Sequence, residues 1–131
     1  MLLGASIITV SALLVYFVTI LNVGKARFKY NVIAPAMSGD ENFERALRVQ
    51  QNMLEQLILF FPILWIFSSY VSELWGAILG GIWILGRVLY AWGYYQEANK
   101  RFPGFAISML SIMTLLLGCL ISLGMRIYQQ I

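Results

Sequence analysis

Four apolar runs, each long enough to cross a bilayer, constrain this chain more than any other feature. A helical crossing of the hydrocarbon takes about 17–25 apolar residues. Such runs extend from Leu2 to Leu21, from about Ala46 to Tyr70, from about Leu74 to Tyr95 and from Phe105 to Ile127. With 60% hydrophobic and 11% charged residues among 131, too little polar surface exists to cover a water-facing fold. The expected fold is an all-α membrane protein. It forms a single domain over residues 1–131, with transmembrane helices over about 2–21, 44–70, 74–99 and 105–128 packed as a four-helix bundle. The first run has no basic lead and exceeds the length of a signal-peptide core, so it reads as a retained helix. No stretch remains for a separate soluble domain.

Residue usage then excludes several chemistries. The chain has no histidine, which removes haem ligation and general catalysis by imidazole and most zinc sites. No metal and no haem are expected. The lone Cys119 lies in the apolar fourth run, where it reads as small apolar filler and has no partner for an intramolecular disulfide. A net charge of +3 is spread over loops and forms no basic domain, so no nucleic acid is expected as a partner.

The basic residues set an expected topology instead. Lys25, Arg27, Lys29 and Arg45 cluster between the first two runs, and Lys100 and Arg101 between the last two, while "SSYVSE" between the middle pair has neither Lys nor Arg. The first and third loops are therefore expected in the cytoplasm, with both termini across the membrane. Before the second helix, Asp40 or Asn42 is placed to cap, with Glu44 in the first turn.

Polar residues that enter the apolar runs are the functional signal. In "FERALRVQQNMLEQLILFFPILWIF", Glu44, Arg48, Gln51, Asn52 and Glu55 share one face at about 100° per residue, while Gln50 points nearly the opposite way. The stripe reaches roughly 15 Å along the helix axis at 1.5 Å per residue. In "WILGRVLYAWGYYQEANKRFPGF", Arg87, Tyr90, Tyr94, Glu97 and Arg101 recur at spacings of three or four and form a second stripe. An ionisable group at such depth costs several kcal/mol (about 2.5–3.5 on insertion scales) unless it faces protein or water. The two stripes are expected to face each other, with a Glu55–Arg87 ion pair at matching depth and Pro103 and Gly104 ending the third helix. Buried Arg, Glu and Asn also tie helices together without any further role. Two stripes converging on one end nevertheless build a polar, partly cationic cavity suited to a small zwitterionic or anionic ligand. Tyr70, Trp92 and Tyr95 read as interfacial belt residues.

The segments "FERALRVQQNMLEQ" and "GRVLYAWGYYQEANKRFPGF" together resemble the MAPEG family, the membrane-associated proteins in eicosanoid and glutathione metabolism. The resemblance covers almost the whole chain and is strongest to the branch of second-type microsomal glutathione transferases and leukotriene C synthases. It implies a homotrimer with glutathione bound between neighbouring subunits. It assigns Arg48, Gln50, Asn52 and Glu55 to the peptide part of glutathione, with Tyr90 and Tyr94 as further contacts and Arg27 on a carboxylate. It also gives Arg101 the catalytic place beside the glutathione sulfur, where a fixed cation favours the thiolate. The implied activity is transfer of glutathione to a lipophilic electrophile, with peroxidase activity toward a lipid hydroperoxide. A bacterial inner membrane is the expected location, or the endoplasmic reticulum in a eukaryote. Two features depart from the branch: Gln56 stands where its synthases carry a tyrosine, and "KARFK" replaces a pair of arginines. Two other classes have different sequence features. Lipid-binding, non-enzymatic relatives lack the arginine corresponding to Arg101 and carry aspartate at the position of Glu55. Small four-helix exporters need a carboxylate in the first helix, and Leu2 to Leu21 contains none.

Overall fold

The computed structural model describes residues 2–131, which form four long helices: α1 Leu3–Lys29, α2 Glu41–Tyr70, α3 Glu73–Gln96 and α4 Phe102–Gln130. Each has the length and composition to cross a membrane, and the chain is an integral membrane protein. Exposed Leu3, Val10, Leu14, Ile58, Leu85, Leu110 and Ile121 make the outer surface apolar, the inverse of a water-soluble bundle.

The core runs along α2. Met53, Leu57, Phe60, Leu64 and Phe67 recur at helical spacing and pack with Trp83 of α3 and Ile112 and Leu115 of α4. The Trp83 ring stacks on Phe60 at 3.8 Å between centroids and 6° between planes. Cys119 is buried in the same cluster. Polar links tie α1 to the bundle, among them Trp65 Nε1 donating to Thr9 Oγ1 at 3.0 Å and the Gly4 amide to Glu73 Oε1 at 3.1 Å.

The helix ends differ from the sequence reading in ways that matter for the site. α1 continues about two turns beyond Leu21, because "NVGKARFK" remains helix-compatible after the apolar run stops. It places Arg27 and Lys29 in its last turn, where cations complement the C-terminal end of the helix dipole. The start of α2 does follow the sequence reading: it begins at Glu41, with the Asp40 carboxylate accepting from the Asn42 amide at 2.8 Å and Glu44 in the first turn. Pro103 and Gly104 do not end α3. That helix stops at Gln96, where Glu97 becomes extended, and one 3-10 turn over Ala98–Arg101 leads into α4. Pro103 sits in the first turn of α4, where its missing N–H removes no helical hydrogen bond.

α3 and α4 cross in backbone contact. A Cβ on Gly86 would stand 2.7 Å from the Ser108 amide, and one on Gly104 would overlap the Tyr90 amide. Glycine is required at this crossing, and the close approach sets Tyr90 of α3 against the start of α4.

Candidate functional site

α2 and α3 present their polar faces to a cavity of about 260 Å³ lined by Arg48, Gln51, Asn52, Glu55, Tyr90, Tyr94 and Arg101. Six of these residues were singled out by the two stripes and the family resemblance. Gln51, the seventh, lies outside the family motif and was placed by the α2 stripe alone. Each residue arrives on a rigid element: three turns of α2, two of α3, and the 3-10 turn for Arg101.

Arg87, only 2% exposed, does not line this cavity but packs behind two residues that do, Asn52 and Tyr90. Its guanidinium donates to Asn52 Oδ1 and, at 3.4 Å, to Ser108 Oγ, and lies 4.2 Å from the Tyr90 ring centroid. The expected Glu55–Arg87 ion pair is absent; among the described residues the one ion pair is Arg45–Glu41, at 3.1 Å. Helix register explains the difference. With α2 starting after the Asp40 cap and α3 ending about one turn before Asn99, Asn52, one turn nearer the helix start than Glu55, is the α2 residue that meets Arg87. Glu55 stays exposed at the cavity wall.

Tyr90 and Tyr94 follow along α3 with ring centroids 5.7 Å apart and planes inclined by 53°. Arg101 closes the cavity. Its guanidinium lies 5.5 Å from the Tyr94 centroid, and Nη1 donates to the Ala98 carbonyl at 2.7 Å. The 3-10 turn that carries it rests on Gly93, where a methyl group would overlap the Lys100 carbonyl. Arg101 also lines a second cavity, of about 300 Å³, whose other walls are Asn99, Phe102 and Phe105. Arg101 therefore borders both a polar chamber and a cavity flanked by Phe102 and Phe105.

Two assigned residues lie elsewhere. Arg27 donates to the Ala36 carbonyl at 2.6 Å and stacks 4.8 Å from the Phe43 centroid, outside the cavity of its own chain. Gln50, half-buried, lies on another face of α2. Tyr95 also joins α3 to α1, its hydroxyl accepting from Asn22 Nδ2 at 3.1 Å. Gln56, in the place of the synthases' tyrosine, has a buried Oε1 with no partner among the described residues.

Comparison with known proteins agrees with this architecture. The family profile described as "MAPEG family" matches residues 5–121. The uncharacterised protein sll1147 of Synechocystis is 52% identical over 128 residues, which cover 98% of this chain and 93% of that protein. Human microsomal glutathione S-transferase 2 is 45% identical over 98 residues, 73% of this chain and 67% of the relative. Guinea pig (Cavia porcellus) leukotriene C4 synthase is 33% identical over 96 residues, 73% and 64% respectively. A match over nearly the whole chain, together with the four-helix membrane architecture, establishes that this protein belongs to the MAPEG family.

Proposed function

We propose that the protein is a membrane-bound glutathione transferase with additional glutathione peroxidase activity, working as a homotrimer whose first and third loops face the cytoplasm. The observation that carries this reading is that Arg101 borders both the polar cavity and the one flanked by Phe102 and Phe105. Glutathione has two carboxylates, an ammonium group and a thiol. Arg48 and Glu55 offer one cation and one anion, and Asn52, Gln51 and the two tyrosines supply neutral hydrogen-bonding groups. The relatives named as glutathione transferases support the choice of ligand.

The chemistry needs no protein nucleophile. A free thiol has a pKa of about 8.5, and a neighbouring guanidinium, which keeps its charge at all physiological pH, favours the thiolate. The thiolate attacks an electrophilic carbon lying toward Phe102 and Phe105. A carbon–sulfur bond forms, and the displaced group leaves with the electron pair or takes up a proton. With a hydroperoxide the thiolate sulfur attacks the terminal oxygen and the O–O bond breaks, giving glutathione sulfenic acid and an alkoxide that takes a proton from water to become the alcohol. A second glutathione then condenses with the sulfenic acid to yield the disulfide and water.

The test is activity of the detergent-solubilised protein toward a panel of lipophilic electrophiles and lipid hydroperoxides, with binding of glutathione followed by calorimetry. Saturable binding with turnover of at least one electrophile is expected. No binding of glutathione and no turnover with any member of the panel would overturn the reading.

A further inference from the structure

A second built surface lies on the other side of α3. A groove of about 300 Å³ between α1 and α3 is walled by Val15, Val18, Thr19, Val88, Ala91 and Trp92, and ends at Asn22 and Tyr95. These last two residues, hydrogen-bonded to each other, also open a cavity of about 340 Å³ whose wall includes Lys25 and Lys29. An apolar slot thus continues into a dicationic one.

The depth of each part matches a bilayer. About 20 residues of helix cross the hydrocarbon, and counted from the start of α1 at Leu3 that length ends near Asn22. The apolar groove therefore lies among acyl chains. Lys25 and Lys29, one and two turns further, lie at headgroup level. Both lysines are exposed, and neither forms an ion pair among the described residues. Around α3 the groove residues stand about 130° from the face that carries Tyr90 and Tyr94, at 100° per residue. The surface is separate from the cavity assigned to glutathione, and the inference does not depend on that assignment.

We propose that this groove is a seat for an anionic phospholipid, with one acyl chain between α1 and α3 and the phosphate held by Lys25 and Lys29 beside Asn22. Charge complementarity selects an acidic headgroup over a zwitterionic one, and the slot adds a requirement that diffuse attraction to a basic cluster lacks. Filling the slot must weaken binding even with both lysines in place.

Native mass spectrometry of the detergent-solubilised protein, titrated with phosphatidylglycerol or with phosphatidylcholine of identical chains, tests both parts. The wild type is expected to retain one phosphatidylglycerol per chain and to prefer it at least tenfold over phosphatidylcholine. Lys25→Gln with Lys29→Gln should remove the preference. Val88→Trp, at an exposed position on the groove wall, should lower phosphatidylglycerol retention at least tenfold. Val18→Trp, exposed on the facing wall, serves in its place should that variant elute as aggregate. Equal retention of the two lipids by the wild type would overturn the proposal. So would undiminished phosphatidylglycerol binding in the folded groove variant, which would leave only attraction to the lysines.

Discussion

Arg87 shows how a buried charge is kept inside a membrane bundle without a counter-ion. Neutral acceptors on two helices and the face of Tyr90 solvate the guanidinium, and breaking such an arrangement leaves an uncompensated charge. This separates Asn52 from its neighbours on α2. Asn52→Ala should lower both thermal stability and glutathione affinity, because it orphans a buried donor, worth about 1–3 kcal/mol or more next to a charge. Arg48→Ala and Glu55→Ala alter exposed side chains and should lower affinity alone. Losing a charge-assisted hydrogen bond costs about 1.5–3 kcal/mol, or roughly 10- to 100-fold in Kd. Calorimetric titration and thermal unfolding in one detergent decide this. Unchanged affinity in all three folded variants would return the α2 stripe to a purely structural role.

At the scale of elements, the short 3-10 turn between α3 and α4 carries the proposed catalytic group, and Gly93 fixes its position. Gly93→Ala should push the Lys100 backbone away and displace Arg101, so turnover falls by an order of magnitude or more while glutathione affinity changes little. Gly81→Ala is the control, since nothing lies within 4 Å of a Cβ there and the helix propensity of alanine exceeds that of glycine by about 1 kcal/mol. Equal kinetics in the two variants would contradict the role given to the turn. The same elements show what could be read from the sequence. Apolar runs revealed four helices because hydrocarbon demands length, and the polar stripes on α2 and α3 revealed the cavity because a charged residue must face inward. Contacts that depend on where a helix stops were not legible. Asn52 in place of Glu55 as partner to Arg87, the turn around Arg101 and the first-turn position of Pro103 all follow from shifts of about one helical turn. Nor can a sequence tell the crowded Gly93 from the open Gly81.

For the whole molecule, the cavity in one chain is incomplete for the proposed ligand. Its volume of about 260 Å³ falls below the usual range of about 300–1,000 Å³ for small-molecule sites. Arg27 and Gln50 lie outside it in their own chain. The proposed threefold assembly, with sites at subunit contacts, leaves both free to serve a neighbour's cavity. Arg27→Ala and Gln50→Ala should then weaken glutathione binding although neither residue lines the cavity of its own chain, and mass measurement in detergent should give three chains. Monomers that bind glutathione at full strength would contradict the assembly. The central claim, that this assembly makes a thiolate of glutathione beside Arg101, has its most direct test in the ultraviolet absorbance of the thiolate, followed against pH in the glutathione-saturated protein. The wild type should ionise bound glutathione well below the free-thiol pKa of about 8.5. Arg101→Ala should raise that value by one unit or more, each unit worth about 1.36 kcal/mol, while binding is largely kept, and its lowered turnover should recover as pH rises. Arg101→Lys, which keeps a charge but loses the planar geometry, should fall between the two. An unshifted thiol pKa and normal turnover in Arg101→Ala would contradict the account.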